Sequence, residues 1–131
     1  MGKIDKEVLS YIAGYFDGEG CVYFDRTRLR CQVTSCYPAS VKLISNLFGG
    51  SVIYTAPRRA HTRGYYSWSL GGPKTLPLLK GIAPYSLEKK RQIELSIEFL
   101  ETDNKTRRAE IITQVKALKK VIYYEKKNTS N

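Results

Sequence analysis

Ile12-Ala13-Gly14-Tyr15-Phe16-Asp17-Gly18-Glu19-Gly20 decides the fold, because a helical period ends inside this stretch and a strand period begins just after it. Upstream, Ile4, Val8, Tyr11, Ile12, Tyr15 and Phe16 recur at spacings of three and four, the stripe of an amphipathic helix running roughly to Gly18. Gly14, Gly18 and Gly20 then break the period. Asp17 and Glu19 fall at the helix C-terminus, where the macrodipole disfavours negative charge by about 0.3–1 kcal/mol each. A divalent cation is the natural compensator, drawn both to carboxylate and to the carbonyls a helix end leaves unsatisfied, and such oxygen ligands suit magnesium. Read without its flanks, Asp17-Gly18-Glu19-Gly20 is equally a turn with two solvated acids. Gly14 and Gly18, four apart, lie on one helix face where a second helix backbone could approach closely.

Beyond Gly20 the residues alternate. Val22 and Phe24 face one way, Tyr23 and Asp25 the other; after a short turn at Arg26-Thr27, Leu29, Cys31 and Val33 oppose Arg28, Arg30, Gln32 and Thr34. The pattern predicts a hairpin with one apolar and one polar face. Pro38 opens a second helix with an apolar face of Val41, Leu43, Ile44, Leu47 and Phe48, ended by Gly49-Gly50. A second strand pair, Ser51 to Ala56 and Tyr65 to Leu70, is joined by an arginine-rich loop, with Trp68 read as core and His61 as a loop residue. A short helix carrying Leu76, Leu79 and Ile82 follows. Ser86 is positioned to cap a longer helix reaching about Leu100, and Ile111, Val115, Leu118 and Ile122 stripe a last one. Glu125 to Asn131 read as polar and loose. The order is α-β-β-α-β-β-α followed by helices, an α+β class in one domain over 1–131.

The 131 residues carry 22 Lys plus Arg against 12 Asp plus Glu, a net +10. No acid lies between Asp25 and Glu88, while nine basic residues do: Arg26, Arg28, Arg30, Lys42, Arg58, Arg59, Arg63, Lys74 and Lys80. Nearly all of the net charge therefore sits on the two strand pairs and their surroundings, which points to a polyanionic partner such as nucleic acid. Cys21, Cys31 and Cys36 form no CxxC pair and His61 is the only histidine, too few ligands for structural zinc. No apolar run approaches the roughly 20 residues of a bilayer span, and the N-terminus lacks an export signal, so the expectation is an intracellular, DNA-associated protein with free thiols.

The nine-residue string resembles the signature of the LAGLIDADG homing endonucleases, with Ile12, Ala13, Gly14, Asp17, Gly18, Glu19 and Gly20 matching that pattern. The α-β-β-α-β-β-α order is also the family's. Cys31-Gln32-Val33-Thr34 is similar to its second strand, and Pro84-Tyr85-Ser86-Leu87-Glu88-Lys89-Lys90-Arg91-Gln92 to the turn and helix start that carry its active-site lysine. That lysine is Lys89, or Lys90 if the alignment slips by one. The resemblance implies a double-strand DNA endonuclease in which Glu19 and the Gly18 carbonyl hold Mg²⁺ and Lys89 assists, with Asp17 structural. Glu19 stands where the family more often has Asp, and no water-positioning residue is plainly matched at Ser35, Cys36 or Tyr37. A single signature copy implies a homodimer formed through Tyr11, Ile12, Gly14, Tyr15 and Gly18, acting on a near-palindromic site.

Strand parity makes Tyr23, Asp25, Arg28, Arg30, Gln32 and Thr34 candidate DNA contacts, with Arg26 at the hairpin turn. Arg suits guanine and Gln adenine in the major groove. The second hairpin adds Tyr54, Arg58, Arg59, Arg63, Ser67 and Ser69, the loop arginines serving phosphate as readily as bases. Two other classes compete: a catalytically silent regulator or RNA-binding maturase of the same family, which would need neither Glu19 nor Lys89, and a helical interaction domain, which leaves the acid-free stretch unexplained.

Overall fold

The computed structural model describes residues 3–60 and 62–129, with side chains as far as residue 120. His61 and the side chain of Ile122 thus lie outside the described residues. The elements run α1 (Lys6–Glu19), β1 (Gly20–Asp25), β2 (Arg28–Ser35), α2 (Pro38–Phe48), β3 (Ser51–Thr55), β4 (Tyr65–Gly71), α3 (Leu76–Ile82), α4 (Lys90–Glu101) and α5 (Lys105–Thr129), with short 3-10 turns on either side of α3. α5 extends to Thr129, so Glu125 to Thr129 are helical where composition suggested a loose tail. The four strands form one antiparallel sheet in the order β1-β2-β4-β3.

One face of that sheet is the core wall. Val22, Leu29, Cys31, Val33, Trp68 and Leu70 are buried there, packed with Ile12, Ala13 and Phe16 of α1, Leu78, Leu79 and Ile82 of α3, and Ile93, Leu95 and Phe99 of α4. Ile111 and Val115 attach α5 to the same cluster. Trp68 satisfies its buried indole by donating from Nε1 to the Gly49 carbonyl at 2.8 Å. Gly50, at φ +99°, is required beside it: an added Cβ would come within 2.6 Å of both Trp68 Nε1 and the Ser69 carbonyl.

Three expectations are corrected by the packing. Ile12 is fully buried within the chain, because it lies on the inward stripe of α1, and it offers nothing to a partner; of the other residues expected at a dimer seam, Tyr11, Gly14 and Gly18 are exposed and Tyr15 is half-buried. Tyr54 pairs with Tyr66 and Val52 with Trp68, so Tyr54 shares the helix-side face and packs on the Tyr66 ring at 4.9 Å rather than joining the polar face. Ser86 does not cap α4. That helix starts at Lys90, and the Ser86 hydroxyl is turned to Asp17 instead.

Candidate active site and nucleic-acid interface

The α1 C-terminus runs directly into β1, and Gly20 makes the junction possible because any Cβ there would collide with the Phe16 ring. Asp17 and Glu19 consequently leave the helix on different sides. The Asp17 carboxylate accepts from the Ser86 hydroxyl and from the backbone N–H groups of Leu87 (2.7 Å), Glu88 (3.2 Å) and Lys89 (3.2 Å). It thereby caps, from another helix, the turn that leads into α4. Partial burial pushes the Asp17 carboxyl up, but these four donors outweigh it and hold the group below its ordinary range. The Lys89 ammonium donates to the Asp17 carbonyl at the helix end. Lys90 points away, its Nζ reaching the Ala83 carbonyl at 3.4 Å, so geometry separates the two lysines that the alignment left adjacent.

Glu19 is exposed and opens on a groove of about 500 Å³ lined also by Tyr15, Thr34, Ser35, Cys36, Tyr37 and Tyr65. Gly18, between the two acids, is exposed too. No cluster of three or more His, Cys, Asp or Glu suited to a metal occurs among the described residues. One chain therefore offers a hard cation two oxygen ligands, the Glu19 carboxylate and the Gly18 carbonyl; their chemistry fits Mg²⁺ or Ca²⁺, and their number requires further oxygens from a substrate, water or a second chain.

The polar sheet face begins beside this groove. Cross-strand rows align Cys21, Gln32, Ser69 and Ser51, then Thr34, Ser67 and Ile53, while Tyr23 pairs with Arg30 and Asp25 with Arg28. Gln32 donates from Nε2 to the Ser67 hydroxyl at 3.0 Å, and Arg30 reaches Ser69 at 3.5 Å. Arg28 and Arg26 stand exposed at the hairpin tip, with Arg26 in the left-handed region at φ 60°. In the loop after β3, Arg58 and Arg59 are exposed. Arg63 is pinned, donating to the Tyr37 hydroxyl at 2.6 Å with its guanidinium 5.5 Å over the same ring. Tyr37 lines the Glu19 groove, so this arginine is held toward it.

Two features were not read from the sequence. Lys119 of α5 comes round the β1 edge to Cys21 Sγ (3.4 Å) and the Tyr23 ring (5.9 Å), and lines a cleft with Asp17, Gly18, Glu88, Lys89 and Gln92. Nothing in the local sequence signals it, since it lies 98 residues from Cys21. The second is Ile53, which the register puts on the polar face in place of Tyr54.

No protein-family model matches the chain, and no curated protein sequence does. Solved structures match it over most of its length. The homing endonuclease I-CvuI, in complex with its target in the presence of calcium, aligns with a TM-score of 0.66 and 18% identity over 86% of this chain and 82% of that one. The archaeal intron-encoded homing endonuclease I-Vdi141I, complexed with DNA, gives 0.63 and 17% over 84% and 82%. The group I intron-encoded I-CeuI, also complexed with DNA, gives 0.54 and 12% over 77% and 57%. With its four-stranded antiparallel sheet, its α1 signature and these likenesses, the chain has the fold of the LAGLIDADG homing endonucleases.

Proposed function

We propose that this chain is a site-specific double-strand DNA endonuclease that works as a homodimer and hydrolyses a phosphodiester with the help of a divalent cation. The observation that carries the reading is the exposed Glu19, at the α1 end beside the polar sheet face and two residues from the Asp17 carbonyl that Lys89 holds. Glu19 and the Gly18 carbonyl would hold the cation, which supplies a lowered pKa for bound water and charge stabilisation at phosphorus. The chain's own groups do the rest. Lys89, tethered to the Asp17 carbonyl, presents positive charge next to the scissile phosphate as its oxygens gain charge. The hydroxyls of Thr34 and Ser35, in the same groove as Glu19, are available to orient the attacking water. No side-chain nucleophile is required.

Recognition follows from the sheet. β2, eight residues long, spans about 27 Å, the length of about eight base pairs of duplex. Arg28, Arg30, Gln32, Ser67 and Ser69 offer donors and acceptors to base edges, and Arg26, Arg58, Arg59 and Arg63 suit the backbone. The homodimer reading is supported by the bare outer stripe of α1: Cβ atoms added at Gly14 or Gly18 would meet nothing within 4 Å, Tyr11 is 52% exposed, and its ring stacks on Tyr15. Two such stripes crossing would bring two Glu19 groups together, a pairing that calls for cations between them.

The test is end-sequencing of a large random duplex library after incubation with the purified chain and Mg²⁺, beside Glu19→Gln. Recurrent ends flanked by a near-palindrome, absent from the variant, support the endonuclease. Enrichment by binding with no cut ends in either protein points instead to a silent DNA-binding regulator or an RNA-splicing maturase.

A further inference from the structure

Ile53 is the one large aliphatic side chain that the strand register puts on the polar face of the sheet among the described residues. Of its neighbours there only Tyr65, diagonal to it across the strand pair, is large; the rest are small and hydroxylated. Ser67 lies opposite it, Thr34 follows in the same row, and Ser51 and Thr55 flank it two residues away on β3. None of these is long enough to cover a branched four-carbon chain, and Ile53 is 61% exposed. β3 is also the sheet's edge strand, so no further strand shields it. An isolated exposed isoleucine is ordinary on a mixed surface. On this face it is not isolated from function: the arginines and the absence of any acid from 26 to 87 commit the face to a polyanion, and Ile53 projects beyond its hydroxylated neighbours.

A duplex presents one apolar group in the major groove, the C5-methyl of thymine. We propose that Ile53 is a specificity-determining residue that selects a thymine in each half-site by contact with this methyl. The proposal rests on the DNA reading above. It assigns apolar selection to one position on a face whose other candidates act through hydrogen bonds.

The experiment uses the duplex that the wild-type chain itself selects from the library. Each T·A pair in a half-site is replaced in turn by U·A, which deletes the methyl and leaves every hydrogen-bonding group in place. Affinity is measured for the full chain and for Ile53→Thr, which keeps the β-branched shape at an exposed edge position. With the wild type, one thymine per half-site should cost about fourfold on conversion to uracil, and about fifteenfold when both half-sites are changed. Ile53→Thr, whose single γ-methyl reaches less far, should shrink the T-against-U difference at that pair to under about twofold, with the other pairs unaffected. Indifference of the wild type to every uracil, or a thymine preference that survives unchanged in Ile53→Thr, overturns the proposal. A change in sedimentation with no change in base preference also overturns it, since Ile53 is then covered by a second copy of the chain. If the wild type selects no duplex at all, the DNA reading itself fails, an outcome distinct from a selected site that ignores the methyl.

Discussion

On one side of the last turn of α1 the Asp17 carboxylate is ringed by four donors; on the other, two residues later, Glu19 is exposed at an open groove. The helix ends equally near both, so the dipole penalty does not distinguish them. What separates them is the partner each meets. The turn 87–89 supplies Asp17 with N–H groups that no helix pairs, so an unfavourable charge becomes the cap of the turn that opens α4. Nothing comparable approaches Glu19 from the groove side, whose lining is hydroxyl, thiol and aromatic. One acid is absorbed by the fold and the other stays open to the groove.

The largest effect that tests this division is on Glu19. Glu19→Gln should lower single-turnover cleavage of the selected duplex by at least about 10²-fold, with thermal stability within about 0.5 kcal/mol of wild type. A comparable loss of stability would mean that Glu19 is structural after all. Lys89→Ala should cost about 10²-fold in the same assay, because its charge is held at the α1 end, whereas Lys90→Ala, aimed at Ala83, should leave the rate nearly unchanged. Equal losses would erase the distinction between the two lysines.

Asp17→Ala acts on the other side. It removes the acceptor of three backbone N–H groups and a hydroxyl, and should destabilise the fold by about 2 kcal/mol in denaturant unfolding. Cleavage falls as well, since the segment bearing Lys89 loses its anchor, but DNA affinity carried by the sheet should persist. Asp17→Asn, which keeps an acceptor, should recover part of the stability. The pH dependence has a definite sign. The folded-state pKa of Asp17 lies below its unfolded value near 3.8, so its stabilisation is fully present above that value and is lost as pH falls through the folded one. Wild type should therefore show a steeper acid limb below pH 3.8 than Asp17→Asn.

The same contrast explains what could be read from the sequence. The β1–β2 hairpin was legible because apolar and polar residues alternate without interruption from Leu29 to Thr34; its register is a structural finding, set by the two-residue turn at Arg26-Thr27. β3 was not: Val52, Ile53 and Tyr54 are all apolar in body, period two gives no contrast, and the long loop before β4 transmits no register. Sequence alone therefore puts Tyr54 on the polar face, whereas the pairing with β4 puts Ile53 there. At the candidate site the short string around Asp17 and Glu19 was legible because it is continuous. The trans cap was not, because Asp17 meets residues 69 to 72 positions away and nothing in the local sequence of Ser86 to Lys89 reports an acceptor supplied from outside. Ile12 shows the remaining limit: a helix stripe gives spacing, but which stripe turns inward depends on the sheet and α3 behind it.

The finest test removes one donor and leaves the cap otherwise intact. Ser86 is almost fully buried, and its hydroxyl is the only side chain among the four donors to Asp17. In Ser86→Ala the three backbone N–H groups still reach the carboxylate, and the vacated lone pair lies on a group only partly buried, where water can replace the hydroxyl. The cost should be near the low end for one hydrogen bond, about 0.5–1 kcal/mol. Because the hydroxyl is the strongest of the influences lowering the Asp17 pKa, its removal raises the folded value toward 3.8, and the acid limb becomes shallower without disappearing. Cleavage by Ser86→Ala should equal wild type at neutral pH, because Lys89 keeps its tether to the Asp17 carbonyl. A drop in rate as large as that of Asp17→Ala would instead mean that the hydroxyl, rather than the backbone, fixes the Lys89 segment, and that the absorbed side of the turn shapes the chemistry on the open side.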